Sequence, residues 1–140
     1  MTLEITLPIK PISYNAYYRN SRTGKRIKTG KGHAFDEELG YLLEVHAEAL
    51  VRFGRFFDPS KNIVKMIMDV GNPKYYLKDK SRVSKTAGDV DNYLKVTQDK
   101  MFGVMGVDDY SCRHVEVMDY HCETEQMHIS LSIESQRPQR

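Results

Sequence analysis

Four carboxylates, Asp89, Asp91, Asp108 and Asp109, bracket one segment of the sequence with helical spacing, and the chemistry this chain can do is concentrated there. Between them the apolar positions fall at Val90, Tyr93, Leu94, Thr97, Met101 and Phe102, steps of three and four that predict a helix with one core face. A helix of about twelve residues is about 18 Å long, so the two acidic pairs converge only if the chain folds back after Gly103 or Gly106. Oxygen ligands gathered in that way suit a hard divalent cation such as Mg²⁺, which needs few of them from protein. Asp89 and Asp91 are two apart and would diverge inside one helix, so a shared cation requires Asp89 at or near the N-cap and Asp91 in the first turn. The competing explanation is a capping acid and a partner for the helix dipole. Lys95 lies four residues after Asp91. An exposed pair at that spacing is worth only about 0.3–0.5 kcal/mol, whereas beside a metal its ammonium can neutralise charge on a phosphate or a leaving oxygen. No Ser/His/Asp or Cys/His arrangement offers another nucleophile, and no Gly-rich loop ending in Gly-Lys-Ser/Thr indicates nucleotide hydrolysis.

The elements that must position these residues follow from periodicity. Leu3 to Leu7 alternates as a strand and is ended by Pro8 and Pro11. Ser13 to Arg19 brings three tyrosines close to Arg19, a combination that stacks on bases or holds phosphates, or else packs over the strand's edge. Residues 19–33 hold six basic residues, no acid and three glycines, which predicts a mobile loop in contact with phosphate. A helix is expected over Ala34–Phe53, with Asp36, Glu37 and Glu38 in its first turn, His46 half-buried on its apolar side and Gly54 as its stop. Asn62 to Val70 has apolar residues on both faces and reads as a central strand, with Asp69 as a turn acid at its end. A second basic loop over 71–88 leads into Asp89. Two strands follow the acidic helix, over His114–His121 and Met127–Ile133, and 134–140 reads as a frayed tail. The expected fold is therefore α+β, a small mixed four-stranded sheet with two packed helices in the order β-α-β-α-β-β. The domain runs over 1–133, with no repeat and no second unit.

Composition narrows the class. The chain of 140 residues is long enough for one core, and its 40% hydrophobic and 29% charged residues are ordinary for a globular protein. No apolar run spans a membrane and no leader is recognisable, which places it in the cytoplasm. Cys112 and Cys122 have no zinc spacing and read as reduced thiols; His114 and His121 nearby add nothing that favours a metal. Net charge is only +2, but it is divided. Residues 1–33 carry seven basic side chains against Glu4 alone, a net +6, and residues 108–125 carry six acids against Arg113, a net −5. That division suits a basic track for phosphates beside an acidic metal site.

Asp89-Val90-Asp91-Asn92-Tyr93-Leu94-Lys95 followed by Asp108-Asp109 resembles the D-x-D-N-x-x-K…D-D signature of the RusA-like Holliday-junction resolvases. Ile5-Thr6-Leu7-Pro8, then Pro11, Ser13, Asn15 and Tyr17-Tyr18-Arg19, is similar to that family's opening motif. The likeness covers roughly residues 3–133. It departs at Thr86-Ala87-Gly88, where the family carries basic residues just before its first acid. The resemblance implies Mg²⁺-dependent hydrolysis of phosphodiesters, with Mn²⁺ standing in, on four-way DNA junctions by a homodimer that nicks two opposed strands. It implies Asp89, Asp91 and Asp109 as metal ligands, with Asp108 the further candidate, and Lys95 beside them in catalysis. Asn15, Tyr18, Arg19, Arg22, Lys25, Arg26, Lys28 and Lys85 are the expected DNA contacts. Two other classes stand beside this one: a metal-dependent nuclease acting on other DNA or RNA, and a nucleic-acid-binding module without catalysis.

Overall fold

The computed structural model describes residues 1–73 and 92–136. The chain runs through β1 (Thr2–Leu7), α1 (Tyr14–Tyr17), β2 (Tyr18–Asn20), β3 (Arg26–Lys28), α2 (Gly30–Val45) and α3 (Ala47–Phe56). It continues through β4 (Asn62–Asn72), α4 (Leu94–Met105), a 3₁₀ turn (Asp109–Ser111), β5 (Cys112–His121) and β6 (Gln126–Ser135). Four strands form one mixed sheet in the order β1-β6-β4-β5, and β2 and β3 form a separate hairpin. β4 is interior, as its two apolar faces predict: β6 runs antiparallel on one side and β5 parallel on the other. The α+β class and the mixed four-stranded sheet are as expected, but the described residues form four α-helices where two were expected, and the hairpin is added.

Strand alternation builds the core in rows. Leu7 pairs with Met127, which pairs with Val70; Ile5 pairs with Ile129, which pairs with Met68; Leu131 pairs with Met66. All of these are buried, and Leu39, Leu43, Leu50, Phe53, Met101 and Phe102 from the helices close over them. Each such side chain contributes about 1.5–3 kcal/mol relative to exposure. Because β4 and β5 are parallel, the chain between them must cross from one end of the sheet to the other, and α4 is the helix of that crossover. Its buried face is Val96, Thr97, Met101, Phe102 and Met105, which leaves Lys95 and Asp99 exposed on the other side.

The structure corrects several expectations; Asp69, for one, lies inside β4 and not in a turn at its end. Residues 19–33 are not one loop: β2 and β3 pair through a turn at Ser21–Lys25, with Gly24 at φ 81°, and α2 already begins at Gly30. Strands of three residues are too short to show alternation. The glycines of the first helical turn are offset by Thr29, whose hydroxyl accepts the Gly32 N–H at 3.0 Å. Asp36 consequently lies beyond the first turn of α2, which contains no acid. The long helix is broken at His46, where φ is −102° and ψ 8° and the His46 N–H donates to Leu43 O at 3.1 Å. Apolar positions on either side stay in phase, so periodicity does not register the break. At the other end of the chain, β6 runs to Ser135 and the Gln136 N–H donates to Lys61 O at 2.9 Å; residues 137–140 of the expected tail lie outside the described residues.

Gly54 is a further correction. It does not stop the helix, since α3 continues to Phe56; it is where α3 touches the end of α4. A Cβ at Gly54 would lie 2.1 Å from the Met105 carbonyl oxygen, a rigid backbone atom. Gly54→Ala should cost about 1–3 kcal/mol through the displacement it forces. Gly40→Ala, in α2 with nothing within 4 Å of its Cβ position, should be neutral or stabilise by about 0.5–1 kcal/mol. Chemical denaturation of the two variants measures both; equal midpoints would remove the close-approach argument.

Candidate active site

α4 ends in a turn that determines what the second acidic pair meets. Gly106 takes the left-handed conformation at φ 72°, and its N–H and that of Val107 donate to Phe102 O at 3.0 and 3.2 Å. The chain therefore doubles back along the helix, at one of the two glycines where such a reversal was required. Asp109 then accepts from Lys95 Nζ at 2.8 Å, and Lys95 also reaches Asp99 at 3.0 Å. Asp99 and Asp109 thus meet on the same ammonium. Burial, and then the neighbouring Asp109, push the Asp99 carboxyl up, with Lys95 opposing. Lys95, and then Asp99, hold the Asp109 carboxyl below its ordinary range. The two acids in turn hold the Lys95 ammonium in its charged form. Asp108 is exposed beside this group, its carbonyl accepting the Ser111 N–H at 3.0 Å.

A second carboxylate ties the hairpin to this helix. Asp36 of α2 accepts from the Tyr17 hydroxyl at 2.8 Å and from Lys28 of β3, and Lys100 of α4 approaches it at 3.3 Å. Its side chain is only 16% exposed. Burial would raise the Asp36 pKa, but Lys28, Tyr17 and Lys100 together outweigh it and lower the value. Thr29 fixes the same corner: its hydroxyl donates to Ala16 O at 2.6 Å and its N–H to Tyr17 O at 2.9 Å.

Between the two groups lies a cleft of about 430 Å³. One wall is Lys95, Val96, Asp99 and Lys100 of α4; the other is Tyr14, Tyr17, Tyr18, Arg26 and Lys28. The Tyr14 and Tyr18 rings are 5.2 Å apart, and the Arg26 guanidinium lies 4.5 Å from the Tyr18 centroid and 5.2 Å from that of Tyr14.

The sequence matches the family described as Endodeoxyribonuclease RusA over residues 8–134. The chain belongs to that family. No individual curated protein matches it significantly.

Of the residues that the sequence nominates, Lys95 and Asp109 are brought together, with Asp108 adjacent. Asp89, Asp91 and Lys85 lie outside the described residues. α4 begins at Leu94 with Tyr93 as its N-cap, and within it Lys95 is paired at i,i+4 with Asp99. Asn15 and Arg19 are exposed beside the Tyr14–Tyr18 rings, and Arg22 and Lys25 are exposed at the hairpin turn. Lys28 is engaged by Asp36. Asp99, Lys100, Asp36 and Tyr17 are the residues that sequence reasoning missed. Asp99 had a signal, since Asp91, Lys95 and Asp99 recur every four residues; the Asp36 contacts span four elements and had none.

No three of the described His, Cys, Asp and Glu residues form a cluster able to hold a metal. Asp99 and Asp109 nevertheless offer an all-oxygen donor pair held close at the cost of mutual repulsion, which is what a hard dication relieves.

Asp36 also has a consequence for stability. Its folded pKa is below the unfolded value of about 3.9, so its contribution is fully present above that pH and is lost as pH falls through the folded pKa. Asp36→Asn should cost about 2 kcal/mol at pH 7, as expected when hydrogen bonds to a charged group are removed. The gap to wild type should narrow as pH drops below about 4. Denaturation midpoints of both proteins across acid pH test this; a gap independent of pH would assign the loss to shape and not to charge.

Proposed function

We propose that this protein is a cytoplasmic, Mg²⁺-dependent endodeoxyribonuclease that resolves Holliday junctions by paired nicks in DNA recombination and repair, acting as a homodimer. The observation that carries the reading is the meeting of Lys95, Asp99 and Asp109 at the edge of an aromatic and basic cleft, in a chain of an endodeoxyribonuclease family. Asp109, with Asp89 and Asp91 from the preceding segment, would hold the metal, and Asp99, which shares Lys95 with Asp109, would join them. When bound, the cation supplies a hydroxide from water and stabilises the in-line displacement at phosphorus. The rest of the work belongs to side chains. Asp109 and Asp99 hold Lys95 charged in the absence of DNA, and beside a bound phosphodiester its ammonium neutralises charge on a phosphoryl or leaving oxygen. Arg22 and Lys25, exposed on the hairpin turn, engage flanking phosphates. A dimer suits a four-way junction because both have twofold symmetry.

Cleavage of a four-way junction, a linear duplex and single-stranded RNA, each with Mg²⁺ and with EDTA, tests the substrate class and the metal together. The junction should be cut in opposed strands and only with Mg²⁺, by a species that sediments on DNA as a dimer. Preferential cutting of RNA or plain duplex would favour a nuclease of another specificity, and binding without cleavage a non-catalytic module.

Asp109→Asn keeps the size of the side chain but removes the charge that meets Lys95. Cleavage should fall by at least about a hundredfold, a value typical for loss of a stabilising group in the transition state. Junction binding in Ca²⁺ should be retained or tightened, because phosphates then face less negative charge. Asp108→Asn should be milder; a dead Asp108→Asn beside an active Asp109→Asn would reverse the roles. Replacing Arg22 and Lys25 together with alanine should weaken binding to all DNAs alike. It should flatten the slope of log K against log salt by about one unit for each phosphate that is no longer neutralised. An unchanged slope would make the turn plain solvated surface.

A further inference from the structure

The Tyr14–Tyr18–Arg26 cluster borders two clefts at once. The larger opens toward Lys95 and Asp99, and a smaller one of about 180 Å³ is lined by the same three residues together with Asn15, Arg19 and Asn20. The cluster is thus a wall between a space beside the acidic group and a space that opens to the exposed hairpin. Its construction is specific. Tyr14 and Tyr18 meet at 59°, Tyr18 is braced edge-on by the buried Tyr17 at 4.6 Å, and Arg26 lies over both outer rings and donates to the Tyr14 hydroxyl. Tyr17 is in turn fixed by Asp36, so the platform is held from behind.

We propose that the larger cleft takes one nucleotide of the DNA out of its stack, its base lying against Tyr18 and Arg26 and its phosphate directed toward Lys95. The proposal rests on the nuclease reading and names the form of substrate the site accepts. Aromatic and guanidinium faces bind any base through its π-surface, and they can do so only when the base has left its neighbours. The volume is that of a pocket for one small-molecule-sized group and not for a duplex. Unstacking costs least where a base already lacks a neighbour, which is the case at a branch point. Selectivity for branched DNA then comes from this cleft as well as from the symmetry of a dimer. The strand leaves through the smaller cleft, past Asn15 and Arg19.

The test places 2-aminopurine, whose fluorescence is quenched by stacking, at the nucleotides flanking the scissile phosphate of a four-way junction, with Ca²⁺ in place of Mg²⁺. Saturating wild-type protein should raise the fluorescence several-fold at one of these positions, and Tyr18→Phe should do the same. Tyr18→Leu and Arg26→Gln should abolish the rise and slow single-turnover cleavage in Mg²⁺ by about tenfold or more. Thermal melting shows whether either variant is disturbed; Arg26, exposed on the hairpin, is the one least able to affect folding. A rise that persists in both variants overturns the proposal. So does a wild-type protein that cuts the junction with no change in fluorescence, an outcome that leaves the nuclease reading intact. A protein that neither binds nor cuts the junction overturns both.

Discussion

Asp36 is the contact on which the arrangement of the candidate site depends. α1 has only four residues and β2 and β3 three each, too little chain to hold a position by burial. Among the residues of α1, β2 and β3, only Tyr17 is fully buried; Tyr14 and Tyr18 are half-buried against the core. Direction therefore comes from polar contacts. Tyr17 and Lys28 converge on one carboxylate of α2, and Lys100 brings α4 to the same point. A charge this far from water is tolerated because three donors surround it, and removing any of them would leave the others paired less well. The hairpin's placement over α4, and with it the width of the cleft, is set there.

The other wall depends on backbone geometry at two glycines. Gly54 lets α3 come against the last carbonyl of α4, and Gly106 reverses the chain directly after it. Without the first, α4 would be displaced from α3. Without the second, Asp109 would continue along the helix axis and away from Lys95. The acidic group is thus assembled from the middle of one helix and the turn that follows it.

Much of this was legible in the sequence, and the parts that were not share a physical reason. Alternation in residues 62–70 and 127–133 is long enough to identify strands and their buried faces, and the mixed sheet follows from it. The reversal at Gly106 was one of two positions at which the acids could be brought back. The sequence relates Lys95 to Asp109 through a metal site, whereas the described structure brings the ammonium itself onto the acid. What periodicity missed was short or out of register with it: a hairpin of three-residue strands, a helix break that keeps its phase, and Asp36, whose importance lies in partners from three other elements. The helix dipole would explain Asp36 by a local cause. The helix starts too early for that cause to apply, and a tertiary one takes its place.

The two carboxylate groups give the cleft its electrostatic character. Asp36 sits between the two ammoniums of Lys28 and Lys100, so that corner carries an excess positive charge. Lys95 sits between the two carboxylates of Asp99 and Asp109, so that corner carries an excess negative charge. Both are anchored on one face of α4, with Lys100 the residue next to Asp99. An even mixture of the same side chains would neutralise itself and attract neither sign. Separated by about one helical turn, they leave adjacent subsites of opposite charge, well within the ~8–10 Å over which salt screens such fields. Negative charge is favoured near the first and positive charge near the second, so the cleft presents both signs to whatever enters it.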